Sequence, residues 1–181
     1  MSSRSISSSM TMLALGVYAG VITLVTLLKP FISIGLLWGY KAPRRREVSF
    51  QPFGEYLDGV STLALVFGYG GNFILFVPLG GLLFTLSDQR RFKPSVLMVG
   101  FIGFLASCSI EVTQFVFRLG ITDFDDVLFN TLGTLVGAAL AKVFGSKLQG
   151  LWVALSIAIG VVLAALTVFG PNVSGVLSGD W

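Results

Sequence analysis

A small set of polar and charged side chains stands at ordered spacings within an otherwise apolar chain. Glu111, Gln114 and Arg118 fall at i, i+3 and i+7, which is one face of a helix. Asp123, Asp125 and Asp126 place three carboxylates within four residues, and Asn130 follows four residues after Asp126, with Gly133 and Gly137 continuing its stripe. Upstream, Asn72, Phe76 and Gly80 recur at intervals of four around Pro78. Carboxylates can carry protons, act as general acid or base, or hold an amine or a hard cation. The amides of Asn72, Gln114 and Asn130 both donate and accept hydrogen bonds.

Each group also has a plainer reading. Glu111 can be a structural charge, neutralised by Arg118 about two turns away or protonated by burial. Asp125 or Asp126 can be a helix N-cap, where a carboxylate satisfies orphan N–H groups and suits the positive end of the dipole. Three carboxylates exceed what a cap needs, so Asp123, Asp125 and Asp126 also read as ligands of a divalent cation. Their spacing alone does not supply the six oxygens such an ion takes. No other cofactor is expected. Gly133 and Gly137 form a GxxxG, read as close helix packing.

The rest of the composition decides what positions these groups. Of 181 residues, 54% are hydrophobic and 12% charged, and the mean hydropathy is +0.87. Soluble domains carry about 25% charged residues. This chain has too little polar surface for a soluble enzyme, a nucleic-acid-binding domain or a disordered segment. It contains no histidine and one cysteine, Cys108, which excludes zinc fingers, haem ligation through histidine, His-based triads and disulfides. The net charge of +3 comes from basic residues clustered at segment ends, where lipid headgroups and topology account for them.

An all-α polytopic membrane protein follows, a single domain over 1–181 with about five transmembrane helices and one interfacial amphipathic helix. A span needs ~20 mostly apolar residues to cross about 30 Å of hydrocarbon. The spans are expected at 11–28, stopped by Lys29 and Pro30, and at 69–86, after a break at Gly68, Gly70 and Gly71. Three more follow at 94–117, 127–144 and 149–169, the last ending at Gly170 and Pro171. Between the first two, Phe50, Phe53, Leu57, Val60, Ala64 and Phe67 recur at threes and fours with polar residues between, an amphipathic helix over 50–67. The short connection 119–125 makes the third and fourth spans antiparallel neighbours. Asn72, Glu111, Gln114, the three aspartates and Asn130 then converge at one membrane face. Lys and Arg divide six against six between the two sides. The shortest loops, holding Arg90, Arg91, Lys93, Lys142 and Lys147, set a cytoplasmic N-terminus and an outward-facing polar end.

These residues also resemble a known family. Asn72, Phe76, Pro78 and Gly80 match the N-x-x-x-F-x-P-x-G signature of the VanZ-like family of bacterial membrane proteins. Ile110, Glu111 and Gln114 match its I-E-x-x-Q. Asp123, Asp125, Asp126, Asn130, Thr131 and Gly133 match its D-x-D-D-x-x-x-N-T-x-G. Gln51, Pro52 and Phe53 are similar to the Pro-Phe that opens the family's external segment. The resemblance covers about 11–144. The family often has an arginine three residues before its first motif aspartate; here Gly120 stands there and Arg118 lies two residues earlier.

The resemblance implies a multi-pass protein of the bacterial cytoplasmic membrane, with a role in envelope chemistry of the teicoplanin-resistance type and no settled reaction. The leading expectation is a non-enzymatic envelope protein with an outward-facing polar pocket. Its ligand would be an envelope lipid, a cell-wall precursor or a glycopeptide, contacted by Asn72, Glu111, Gln114, Arg118, Asp123, Asp125, Asp126 and Asn130. Two alternatives stand beside it. One is an intramembrane enzyme on a lipid-linked substrate, with Glu111 or Asp125 as acid or base. The other is a small accessory subunit that packs against another membrane protein. The lipid bilayer is the one partner common to all three.

Overall fold

The computed structural model describes residues 6–28, 47–57, 62–119 and 121–178. In chain order these form α1 (Ser8–Leu28), β1 (Glu47–Ser49), α2 (Gly54–Leu57), α3 (Thr62–Gln89) and α4 (Val96–Phe117). Then come β2 (Ile121–Asp123), α5 (Phe124–Phe144), a 3-10 turn (Gly145–Leu148) and α6 (Gln149–Ser178). Ser8–Leu27, Gly68–Gln89, Val96–Phe117 and Phe124–Phe144 are each long and apolar enough to cross a membrane, and Gln149–Ala165 adds a shorter apolar stretch. Large apolar side chains such as Leu13, Leu97 and Val161 lie outermost. In hydrocarbon that surface costs nothing, while every backbone polar group must be satisfied internally. The chain is an all-α multi-pass membrane protein.

Expected boundaries move in three places. The glycines at 68, 70 and 71 do not break the chain: α3 is continuous from Thr62 to Gln89, through Pro78. A glycine costs a helix about 1 kcal/mol, whereas an opened helix in hydrocarbon would strand N–H and C=O groups at several kcal/mol each. Nor is 50–67 one amphipathic helix. Glu47–Ser49 is a strand, the chain turns at Gln51, Pro52 and Phe53, α2 spans four residues, and 62–67 belongs to α3. Periodicity gave way there to a long-range pairing: β1 runs parallel to β2, with Val48 opposite Thr122 and Ser49 opposite Asp123. Helix α6 starts at Gln149 as expected and continues past Gly170 and Pro171 to Ser178. Lys29 and Pro30, the basic residues Lys41, Arg44, Arg45 and Arg46, and Gly120 lie outside the described residues.

At the centre, α3 and α5 touch backbone to backbone. A methyl group added at Gly80 would lie 2.0 Å from the Thr134 carbonyl oxygen, at Gly133 2.2 Å from that of Phe73, and at Gly137 1.9 Å from that of Val77. The GxxxG reading holds. The other helices close on this pair. Gly103 of α4 sits on the Thr134 side chain and Gly81 of α3 on the indole of Trp152 from α6. Tyr18 of α1, 1% exposed, donates its hydroxyl to the Leu75 carbonyl at 2.8 Å.

Gly137→Ala should therefore force α3 and α5 apart, at a cost of about 1–3 kcal/mol, the usual range for an overpacked interior. Gly71→Ala, where an added methyl meets nothing within 4 Å, should be neutral or slightly stabilising. Thermal unfolding of both variants in detergent checks the contrast; equal melting temperatures would contradict the packing described.

Candidate functional site

The polar end of the bundle is assembled from α4 outward. Ser107, Glu111 and Gln114 project from its buried face. The helix stops at Arg118, which takes the left-handed conformation (φ 57°) and donates its backbone N–H to the Gln114 carbonyl. That reversal sends the chain directly into β2, so the polar face of α4 looks onto the start of α5. Glu111, 3% exposed, accepts the Asp123 N–H on Oε2 at 2.9 Å. Its carbonyl oxygen accepts the Thr122 hydroxyl at 3.3 Å. Gln114 donates Nε2 to the Thr26 carbonyl at 3.1 Å, joining α4 to the last turn of α1.

The three aspartates have three separate tasks. Asp123, extended at φ −119° and ψ 129°, is the N-cap of α5, and its Oδ1 accepts the Asp125 N–H at 2.9 Å. The cap is thus neither Asp125 nor Asp126, because β2 delivers Asp123 already extended, as a cap requires. Asp125, 1% exposed, turns inward and accepts the Phe53 N–H on Oδ2 at 2.8 Å. Asp126 Oδ1 accepts a hydrogen bond from Asn72 Nδ2, linking α5 to α3. One turn deeper, Asn130, fully buried, donates Nδ2 to Ser107 Oγ at 2.8 Å, and its carbonyl oxygen accepts the Thr134 hydroxyl at 2.9 Å.

An aromatic group covers this end. Tyr69 and Phe129 stack with centroids 4.9 Å apart, and Phe53 meets both edge-on at 6.3 and 6.4 Å. Phe53 holds a left-handed backbone (φ 57°), the conformation that turns its N–H to Asp125. Beside the cluster, a cleft of about 250 Å³ runs between α4 and the strand pair, touching Val48, Cys108, Glu111 and Thr122.

The expected residues are therefore brought together, with one departure. Arg118 is exposed at the C-cap of α4, at the rim of the cluster rather than within it. Among the described residues, no three His, Cys, Asp or Glu side chains gather around a point that could hold a metal ion. Sequence reasoning passed over Ser107, Thr26, Thr122, Thr134 and the Phe53 amide. Ser107 could have been found, since it precedes Glu111 by four residues on the same helical face.

Three buried oxygens in this end have no donor among the described residues: Gln114 Oε1, Asp125 Oδ1 and Asn130 Oδ1. All three are acceptors. Buried acceptors left unmet cost about 1–3 kcal/mol each, so this end is short of hydrogen-bond donors.

Asp125→Ala removes the acceptor of the Phe53 N–H. Hydrogen exchange of the amides in 47–57 should speed up by about tenfold, the equivalent of a lost bond to a charged group, while α4 amides stay protected. Unchanged exchange in 47–57 would show that Asp125 does not fasten this segment.

Comparison with known proteins bears on the same residues. The chain is 36% identical over 69 residues to Protein VanZ of Enterococcus faecium, a match spanning 38% of this chain and 40% of that protein. No solved structure matches it. The VanZ/LLP1 family profile matches residues 15–145, a stretch that begins in α1, ends just past α5 and takes in the whole polar end from Asn72 to Asn130. By that match the chain belongs to the VanZ/LLP1 family.

Proposed function

We propose that this VanZ-family membrane protein binds, through its polar end, an envelope ligand rich in hydrogen-bond donors. The surplus of buried acceptors carries the reading. Asp125 Oδ1, Asn130 Oδ1 and Gln114 Oε1 lack donors among the described residues, and a ligand bringing hydroxyl or ammonium groups supplies them. Envelope lipids with amine headgroups, sugar-bearing cell-wall precursors and glycopeptides all have that chemistry. The resistance theme attached to the VanZ name fits a ligand of the teicoplanin type or its cell-wall target.

In this reading Asp125 accepts from the ligand, Glu111 holds Asp123 and β2 in place, and the Asn72–Asp126 bond fixes α3 against α5. Binding requires the Phe53 segment to shift, since that segment covers Asp125. The N-terminus is cytoplasmic, and the polar end faces outward from the cytoplasmic membrane, where such ligands are met.

The test is teicoplanin susceptibility of cells expressing the wild-type chain, Asp125→Asn and Glu111→Gln, with membrane insertion checked for each. Asp125→Asn puts a donor where an acceptor is needed and should lower protection about tenfold or more. Glu111→Gln keeps an oxygen for the Asp123 N–H and should lower it less. If both variants insert normally and leave susceptibility and ligand binding unaltered, the polar end is not the binding site.

A further inference from the structure

The opposite end of the bundle holds a second polar cavity, unconnected with the cluster above. About 180 Å³ in volume, it lies where α3 and α5 end and α6 begins, lined by Phe84, Thr85, Asp88, Lys142 and Gln149. At roughly 30 Å³ per water molecule, it takes a ligand larger than a single ion. Its inner residues, Thr85 and Gln149, are 4% and 8% exposed. Gln149 accepts from Gln89 on Oε1 at 3.5 Å, which leaves its own amide hydrogens as donors.

The charges of this cavity are split. Asp88 stands in the last turn of α3 and Lys142 in the last turn of α5, both exposed. Among the described residues neither forms an ion pair, although they line the same space. The nearby guanidinium of Arg90 is directed to α1, where Nε donates to Ser8 Oγ at 2.8 Å, so Lys142 is the cation of the cavity. The backbone adds to the division. The C-terminal ends of α3 and α5 bring their negative dipole ends beside Asp88, which favours a cation. The side-chain amide of Gln149 favours an anion, with Lys142 as its counter-charge.

The geometry points to a binding site for a zwitterionic phosphoethanolamine headgroup, its ammonium at Asp88, its phosphate at Lys142 and the side-chain amide of Gln149. The buried Phe84 on the cavity wall and the hydrocarbon-facing helices below suit the glycerol and acyl portion of a phospholipid. A primary ammonium brings three N–H donors, whereas a choline headgroup brings none and a glycerol headgroup brings no positive charge.

Native mass spectrometry of the full chain in detergent, with phosphatidylethanolamine, phosphatidylcholine and phosphatidylglycerol of matched acyl chains, tests this. Phosphatidylethanolamine should be retained about fivefold more than either other lipid. Asp88→Asn should abolish its advantage over phosphatidylcholine, and Lys142→Gln should lower retention of all three phospholipids. Both side chains are exposed, and an unchanged melting temperature will confirm that each variant is folded. Equal retention of the three lipids by the wild-type chain, or a preference surviving in both variants, overturns the proposal. Soluble phosphoethanolamine separates the sources: weak competition at millimolar concentration supports a membrane lipid, whereas binding of the soluble compound without retention of the lipid overturns it.

Discussion

Gly80, Gly133 and Gly137 let α3 and α5 meet at backbone distance, and the arrangement of the polar end is built on that contact. Two helices held this close cannot slide or rotate without collision. Asn72 is thereby fixed beside Asp126, and Thr134 is fixed against Gly103, which brings α4 to α5 and Ser107 to Asn130. In a bilayer no hydrophobic force drives helices together, because lipid chains are as apolar as leucine. Close van der Waals packing of small residues and hydrogen bonds between helices are what remain.

On this rigid pair the chain places groups that hydrocarbon would otherwise reject. Glu111, Gln114, Asp125 and Asn130 are almost wholly buried, yet each holds at least one hydrogen bond to a different element: β2, α1, the Phe53 turn and α4 respectively. The bonds cross between elements rather than run along one helix. Their energy therefore goes into fixing elements relative to one another, and the acceptors left over are the part of the network that packing alone does not explain.

Much of this was legible in the sequence. The spacing of Glu111 and Gln114, and of Asp126 and Asn130, gave two helical faces, and the short connection between them required those faces to meet. The GxxxG of α5 was readable as close packing for the same reason: small residues at that spacing have few other uses in a membrane. The turn at Phe53 was not readable. Its fate depends on a three-residue strand pairing across more than seventy residues and on one backbone amide finding Asp125. Local periodicity favoured a helix there, and a backbone donor leaves no mark in a list of side chains. The identity of the N-cap was missed on similar grounds, since it depends on β2 arriving at Asp123 in extended form.

The parallel pairing of β1 with β2 carries a consequence for biogenesis. A parallel pair needs a crossover connection, and here the crossover is α3 and α4, two entire membrane spans. During synthesis β1 emerges long before its partner exists, and Asp125 follows later still. The 47–57 segment therefore cannot close over the aspartates until both α3 and α4 have been made, so the cover of the polar cluster depends on a partner synthesised two spans later.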